Sequence, residues 1–412
     1  ESNMVTSGKI RVAFAQIGND AAPYLLSTVN TINGNAGSLE FPFNGVSAST
    51  IGDNSGNKNL RPEFTNEIEV GAELRMFNNK FGVDVAYYDK ITKDQIFSVN
   101  VPAVTGFLTK TLNAGEISNK GVELGVDYTP INRSNGLSWN IFAAFSKNVS
   151  LVEKLAEGID FINPGFRQSA YGNVLKVGEP YGAFLAEVAV RDDEGNLLIN
   201  PNTGLTSKAA QQEIVGDPNP NFMLGVTNSI SYKGFSLGVL VDYRDGGDIM
   251  CLSCGYLRGF GITEETTERD RTYIIPGVLA NPSNPGAPLT DVGGNKIPND
   301  VQIHPQAYWA GAVSGSTTNQ YRFAGEAYVF DATVIRLREL TLGYAVQKSI
   351  LQNTFIGTAS ITLIGRNLWF KAPNVPHIDP EVSTYGAGNA QGVEQYAPPT
   401  VRNYSVNIKF TF

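Results

Sequence analysis

The chain has 412 residues, a formal net charge of −8, 10% aromatic residues, 43 Gly and 21 Pro. That acidity makes a nucleic-acid backbone a poor partner, and no apolar run approaches the ~20 residues that a membrane-spanning helix requires. A membrane-spanning strand is not excluded, because it needs only about 9–11 residues with alternate ones apolar.

A first strand is predicted at about 9–17. In "FTNEIEVGAELRMF" the residues Phe64, Ile68, Val70, Ala72, Leu74 and Met76 share a face. Thr65, Glu67, Glu69, Gly71, Glu73 and Arg75 lie opposite, and this period of two reads as strand. "FGVDVAYY" aligns Phe81, Val83, Val85 and Tyr87. "GVELGVDY" aligns Val122, Leu124, Val126 and Tyr128 against Glu123 and Asp127. "LSWNIFAAF" aligns Leu137, Trp139, Ile141, Ala143 and Phe145, and a strand follows at 221–232. "FSLGVLVDY" aligns Phe235, Leu237, Val239, Val241 and Tyr243, with Asp242 and Arg244 opposite. "ATVIRLRELTLGY" changes phase: Ile335 and Leu337 are odd, while Leu340, Leu342 and Tyr344 are even, which predicts a β-bulge near Arg338. After a shorter run in "ASITLIGRNL", the chain closes on "RNYSVNIKFTF", where Tyr404, Val406, Ile408, Phe410 and Phe412 fall on one face.

The connections alternate in length. Short ones fall at 78–80, 130–136, 233–234 and about 346–353. Long ones fall at about 18–61, 98–117, 150–220, 245–331 and 370–400. Counting parity over about ten strands puts every long loop at one end and every short turn, with both termini, at the other. That asymmetry matches an antiparallel outer-membrane β-barrel with short periplasmic turns and long extracellular loops. A soluble β-sandwich would show the same alternation. Its compact frame is a poor host for the longest two of these loops.

Six stretches, in order, resemble the SusC/RagA-type TonB-dependent outer-membrane transporters of Bacteroidota. They are "LRPEFTNEIEVGAELRMFNNKFGVDVAYYDK", "NAGEISNKGVELGVDYTP", "GDPNPNF" with "SYKGFSLGVLVDYRDGGDI", "IRLRELTLGY", "GRNLWF" and "IDPEVS". The resemblance spans essentially the whole chain. It implies an all-β transmembrane barrel, of which residues 1–412 form the C-terminal ten or so strands of a 22-stranded wall. A plug domain and the remaining strands would then lie in a segment outside this chain. The family further implies import of glycans or oligopeptides, a SusD-like lipoprotein lid, and TonB acting through the plug. Membrane lipid surrounds such a wall. A terminal strand ending in aromatics, here Tyr404, Phe410 and Phe412, resembles the assembly signal of outer-membrane proteins generally.

Site residues follow from this reading. Glu67, Glu69, Glu73, Glu123, Asp127, Asp242 and Arg244 would face the lumen or a plug. Tyr256, Arg258, Phe260, Tyr308, Trp309, Tyr321 and Arg322 are the loop candidates for substrate or lid contact, with packing of loop against loop as the plain alternative. Cys251 and Cys254 fit a local disulfide or free thiols far better than half a zinc site, and a pairing with a cysteine on a segment outside this chain stays open. Asp192, Asp193 and Glu194 suggest either calcium or, better, an Asn-rich hairpin turn. His304 and His377 read as loop residues, and no pattern of a catalytic motif occurs. No enzyme activity, metal or cofactor is expected. The rival readings are a passive porin and a barrel that anchors a surface complex.

Overall fold

The computed structural model describes residues 4–32, 41–134, 136–168, 170–309, 325–386 and 388–412. Ten long strands form one meandering sheet in which each strand neighbours the next. They are β1 (Val5–Asn19), β2 (Glu63–Met76), β3 (Phe81–Asn100), β4 (Thr109–Asn132) and β5 (Ser138–Leu155), then β6 (Phe222–Tyr232), β7 (Phe235–Asp245), β8 (Val334–Ala345), β9 (Thr358–Lys371) and β10 (Asn403–Thr411). Within one compact unit, β1, β2 and β3 pair antiparallel; within the other, β6 to β10 do the same. β4 and β5 run through both units.

The tight turns follow from local sequence. Lys233 and Gly234 both have positive φ, 46° and 88°, as a two-residue hairpin demands. Phe77, Asn78 and Asn79 also adopt positive φ at the β2–β3 turn. The expected loop at 98–117 is much shorter. β3 runs to Asn100 and β4 starts at Thr109. The polar run around Thr109–Asn113 hides this extension in the sequence. In the fold, Val99, Ala114, Ile117, Val152, Leu155, Ile162 and Leu175 bury one another there, so the strands continue as a packed tip.

Side chains are distributed inside out relative to a soluble sheet. On β2 the apolar residues Phe64, Ile68 and Val70 are 42%, 53% and 45% exposed, while the glutamates between them are half-buried. A sandwich buries its apolar face, so this arrangement excludes the soluble alternative. Two aromatic rows border the apolar face of the second unit. Phe145, Phe222 and Tyr243 follow one another at 5.5 and 5.7 Å between centroids near the long-loop end. Phe235 and Tyr344 meet at 4.6 Å near the turn end. Along β7 these rows are separated by about 27 Å, or roughly 20 Å of membrane thickness at a 45° tilt, close to the height of a barrel's apolar band.

The predicted bulge is present. Leu337 pairs with Val241 and Glu339 with Leu240, leaving Arg338 as the extra residue. On the other side, Leu337 faces Trp369 and Glu339 faces Arg366, so Asn367 and Leu368 are also looped out of register.

The long connections fold into their own small sheets. One joins Tyr171–Val174, Ala183–Ala189 and Lys208–Gly216; a second joins Leu198–Ile199, Val278–Asn281 and Asn284–Pro288; a third joins Asp248–Cys251, Val329–Asp331 and Val393–Glu394. The buried core lies here, for example Phe184, Met250, Leu252 and Val393.

Leu340 and Thr341 are neighbours on opposite faces, midway between the aromatic rows. Leu340→Arg is expected to cost about 2–4 kcal/mol in the membrane, whereas Thr341→Arg, beside Glu339 on the polar face, is expected to change little. The yield of folded, heat-modifiable full-length protein measures the difference.

Candidate functional site

The polar face is built as a ladder of charge pairs. Arg11 on β1 reaches Glu69 at 3.2 Å and Asp84 at 2.8 Å, tying three strands together. It lies over Gly71, where an added Cβ would sit 2.5 Å from Arg11 Nε. Glu73 pairs with Arg75 at 3.0 Å. Asp127 accepts a hydrogen bond from Asn140 at 3.0 Å. Glu67 is half-buried and Glu123 exposed, and neither forms an ion pair among the described residues.

The densest constellation surrounds the bulge. Arg338 donates to Asp242 at 2.5 Å and to both carboxylate oxygens of Glu381 at 2.7 and 2.6 Å. Two residues earlier, Arg336 makes a bidentate pair with Asp379 at 2.8 and 2.5 Å, with both side chains almost fully buried. Its guanidinium also lies 5.2 Å from the Phe370 ring centroid. Asp379 accepts further bonds from the Glu381 amide and the Thr400 hydroxyl, at 3.0 and 2.8 Å. Arg336 and Arg338, two residues apart, share the polar face, and the bulge puts Glu339 on that same face after them. Together the two arginines fasten the β9–β10 connection to the polar face of the sheet.

Burial alone would raise the Asp379 carboxyl. Arg336, the Glu381 amide and Thr400 overcome it and hold the group below its ordinary value of 3.8. Glu381 is likewise lowered, mainly by Arg338.

Arg244 is used differently. It donates to the carbonyls of Pro218 and Gly246 at 2.9 and 3.3 Å. Gly247, at φ 69°, leaves room for its Nη2. The Asp217–Asn219 turn of "GDPNPNF" is joined to this corner by the Asp217 amide, which donates to Asp248 at 2.8 Å. Met223, Asp242, Arg244, Arg336, Arg338 and Glu381 border a cavity of about 330 Å³.

The loop candidates divide. Tyr308 stacks on Tyr273 at 4.6 Å, and Trp309, largely buried, meets Tyr273 and Tyr308 edge-on. Tyr256 packs on the buried cluster around Phe184 and meets Tyr396 at 5.3 Å. Arg258 is mostly covered and bonds Glu265 at 2.5 Å. Phe260 is 62% exposed. Tyr321 and Arg322 lie outside the described residues.

Cys251 and Cys254 are joined as a disulfide at the start of α1 (Leu252–Gly259), with Cα atoms 5.4 Å apart. Glu394, not singled out in the sequence, caps that end: its carboxylate accepts from the Ser253 hydroxyl at 2.7 Å and the Ser253 amide at 3.2 Å. At Asp192 the hairpin turn prevails. Its carboxylate accepts from the Glu194 and Asn196 amides at 3.0 and 2.8 Å. The Lys296 ammonium sits among Asp192, Asp193 and Glu194 at 2.8, 3.2 and 3.0 Å, where a metal would otherwise go. Lys296 holds Asp192 well below the usual carboxylate range. His304 accepts from the Gln306 amide, and His377 lies 3.7 Å from Glu265.

Residues 10–250, more than half of the chain, match the family model described as TonB dependent receptor-like, beta-barrel. The chain belongs to the TonB-dependent receptor β-barrel family. That family is one of outer-membrane transporters. Over its whole length the chain is 24% identical to TonB-dependent receptor P3 of Formosa agariphila and 22% identical to TonB-dependent receptor SusC of Bacteroides thetaiotaomicron. It covers 40% and 38% of those proteins, so it spans about two fifths of the curated relatives it matches. The fold matches a structure of the RagAB peptide transporter with a TM-score of 0.67 at 18% identity, covering all of this chain and 42% of that one.

Removing one partner of the buried Arg336–Asp379 pair is expected to cost about 3–5 kcal/mol locally. Asp379→Ala should therefore speed hydrogen exchange across 376–384 strongly, while the strand amides of β8 change less. Because the Asp379 and Glu381 carboxyls are lowered in the fold, their contribution is complete above the ordinary carboxylate range and is lost as pH falls through the lower folded values. Protection of 376–384 should be flat from about pH 7 to pH 5 and fall only below about pH 4.

Proposed function

We propose that this chain is the C-terminal wall segment of a TonB-driven importer, with its turns in the periplasm and its long loops outside the cell. An upstream segment supplies the plug and the remaining strands. A SusD-like lipoprotein covers the loops, and the cargo is a glycan or an oligopeptide. The observation that carries this reading is the charge-laddered lumen face of a sheet whose edge strands, β1 and β10, each have a single wall partner among the described residues. A wall of that kind needs further strands, since in hydrocarbon a sheet edge cannot remain unpaired. The short coverage of much longer receptors supports the same conclusion.

On this reading Glu67 and Glu123, which have no ion-pair partner among the described residues, are the lumen groups left to meet a plug; Glu69, Glu73 and Asp242 already hold partners in the wall. Arg244 and Asp127 brace the wall and its loops. Among the described loop candidates Phe260 is an exposed aromatic and the first choice for a lid or cargo contact, and Tyr321 and Arg322 belong to the same proposed set. Tyr308, Trp309, Tyr256 and Arg258 shape the loops that present them. Tyr404, Phe410 and Phe412 serve barrel assembly.

Cells carrying the full-length gene should grow on a glycan or peptide source, and deletion of TonB should abolish that uptake. Phe260→Ala should weaken co-purification of the lipoprotein lid without lowering the amount of folded barrel. Uptake that persists without TonB would identify a passive porin instead. Normal growth without the protein, combined with stable surface partners other than a lipoprotein lid, would identify an anchor.

A further inference from the structure

The turn end of the second unit differs in charge from the rest of the chain. The segments 128–139, 226–241, 340–365 and 403–412 contain no Asp or Glu, in a chain with 39 of them. They contain Arg133, Lys233, Lys348 and Lys409. The first three occupy three successive turns and are exposed, with no carboxylate within ion-pair distance among the described residues. The turns are neighbours. A Cβ added at Gly136 would lie 3.9 Å from the Lys233 amide nitrogen, and the Ala345 amide donates to Gly234 at 2.8 Å.

Immediately below these cations, on the apolar face, four strands form two lateral rows. Ile230, Leu237, Leu342 and Leu363 make one; Tyr232, Phe235, Tyr344 and Ile361 make the other. They border an open groove of about 480 Å³. Lys233 Nζ stands 5.2 Å from the centroid of the Tyr232 ring, at the rim of that groove. An apolar channel on a lipid-facing surface, rimmed by aromatic rings and ending beneath unneutralised cations, has the chemistry of an amphiphile with an acyl chain and an anionic head.

We propose that this surface is a docking site for an anionic phospholipid of the leaflet that the turns face. Its phosphate lies among Lys233, Arg133 and Lys348, and one acyl chain occupies the groove over Leu237 and Leu342. The site would bias the lipid shell of this wall segment and pin the turns at the membrane surface. The proposal uses only the membrane-spanning wall and stands whether or not the protein is an importer. A soluble anionic partner could meet the same cations but would make no use of the groove.

The test is native mass spectrometry of the full-length protein, titrated with phosphatidylglycerol or with phosphatidylethanolamine of identical chains. Preferential retention of phosphatidylglycerol is expected, and rising salt should erode it. The triple variant Arg133→Ser/Lys233→Ser/Lys348→Ser should lose the preference by about fivefold or more for each cation that contacts the phosphate, and a heat-modifiable band on a gel verifies that it folds. The salt titration of the unaltered protein tests the proposal even if the variant does not fold. Equal retention of both lipids at low salt, or a phosphatidylglycerol preference that the folded triple variant keeps, would overturn it. Binding of glycerol 3-phosphate as tightly as the intact lipid would overturn it in favour of a soluble anion.

Discussion

The constraint on which the structure depends is the cost of an unpaired peptide group in hydrocarbon. Water cannot serve as a partner there, so every N–H and C=O in the wall must bond to a neighbouring strand. The meander from β1 to β10 meets this demand with hairpins, and the side chains are then free to alternate between two solvents. Lipid selects the apolar set on one face. Water selects glutamates, aspartates and arginines on the other, where strand-to-strand pairs such as Arg11 with Glu69 and Asp84 keep charges from being stranded.

A departure from regular pairing marks the most highly constructed region. The bulge at Arg338 breaks the register with both neighbouring strands, at the place where two arginines of β8 hold the β9–β10 connection. Arg336 and Asp379 are an expensive pair to bury. Four hydrogen bonds to the carboxylate offset the desolvation, and the bidentate geometry specifies one position for the connection. A loop fixed in this way can present a defined surface at the rim, whereas an unattached one of similar length would sample many.

Strands and bulge were legible in the sequence because period-two alternation is local. The switch from odd Ile335 and Leu337 to even Leu340 and Leu342 located an irregularity without any knowledge of its neighbours. The packed tip above β3 and β4 was hidden, because Val99, Ala114 and Leu175 become a core only when distant segments meet. The same applies to Asp379, 43 residues from Arg336, and to Glu394, which caps a helix 141 residues before it. "IDPEVS" stood out by resemblance, yet nothing in its composition revealed a buried arginine partner. The aromatic clusters in the loops were visible, but their division into buried Trp309 and exposed Phe260 depends on tertiary packing.

The central claim is that these ten strands are part of a larger wall, so that β1 and β10 pair with strands from elsewhere in the full-length protein. Disulfide trapping in intact outer membranes tests it directly. Val12→Cys and Val406→Cys, introduced together, should give no crosslink to each other, while each should trap a cysteine scanned along the flanking upstream strands. Efficient formation of the 12–406 crosslink would mean that the ten strands close on themselves, and would contradict the account.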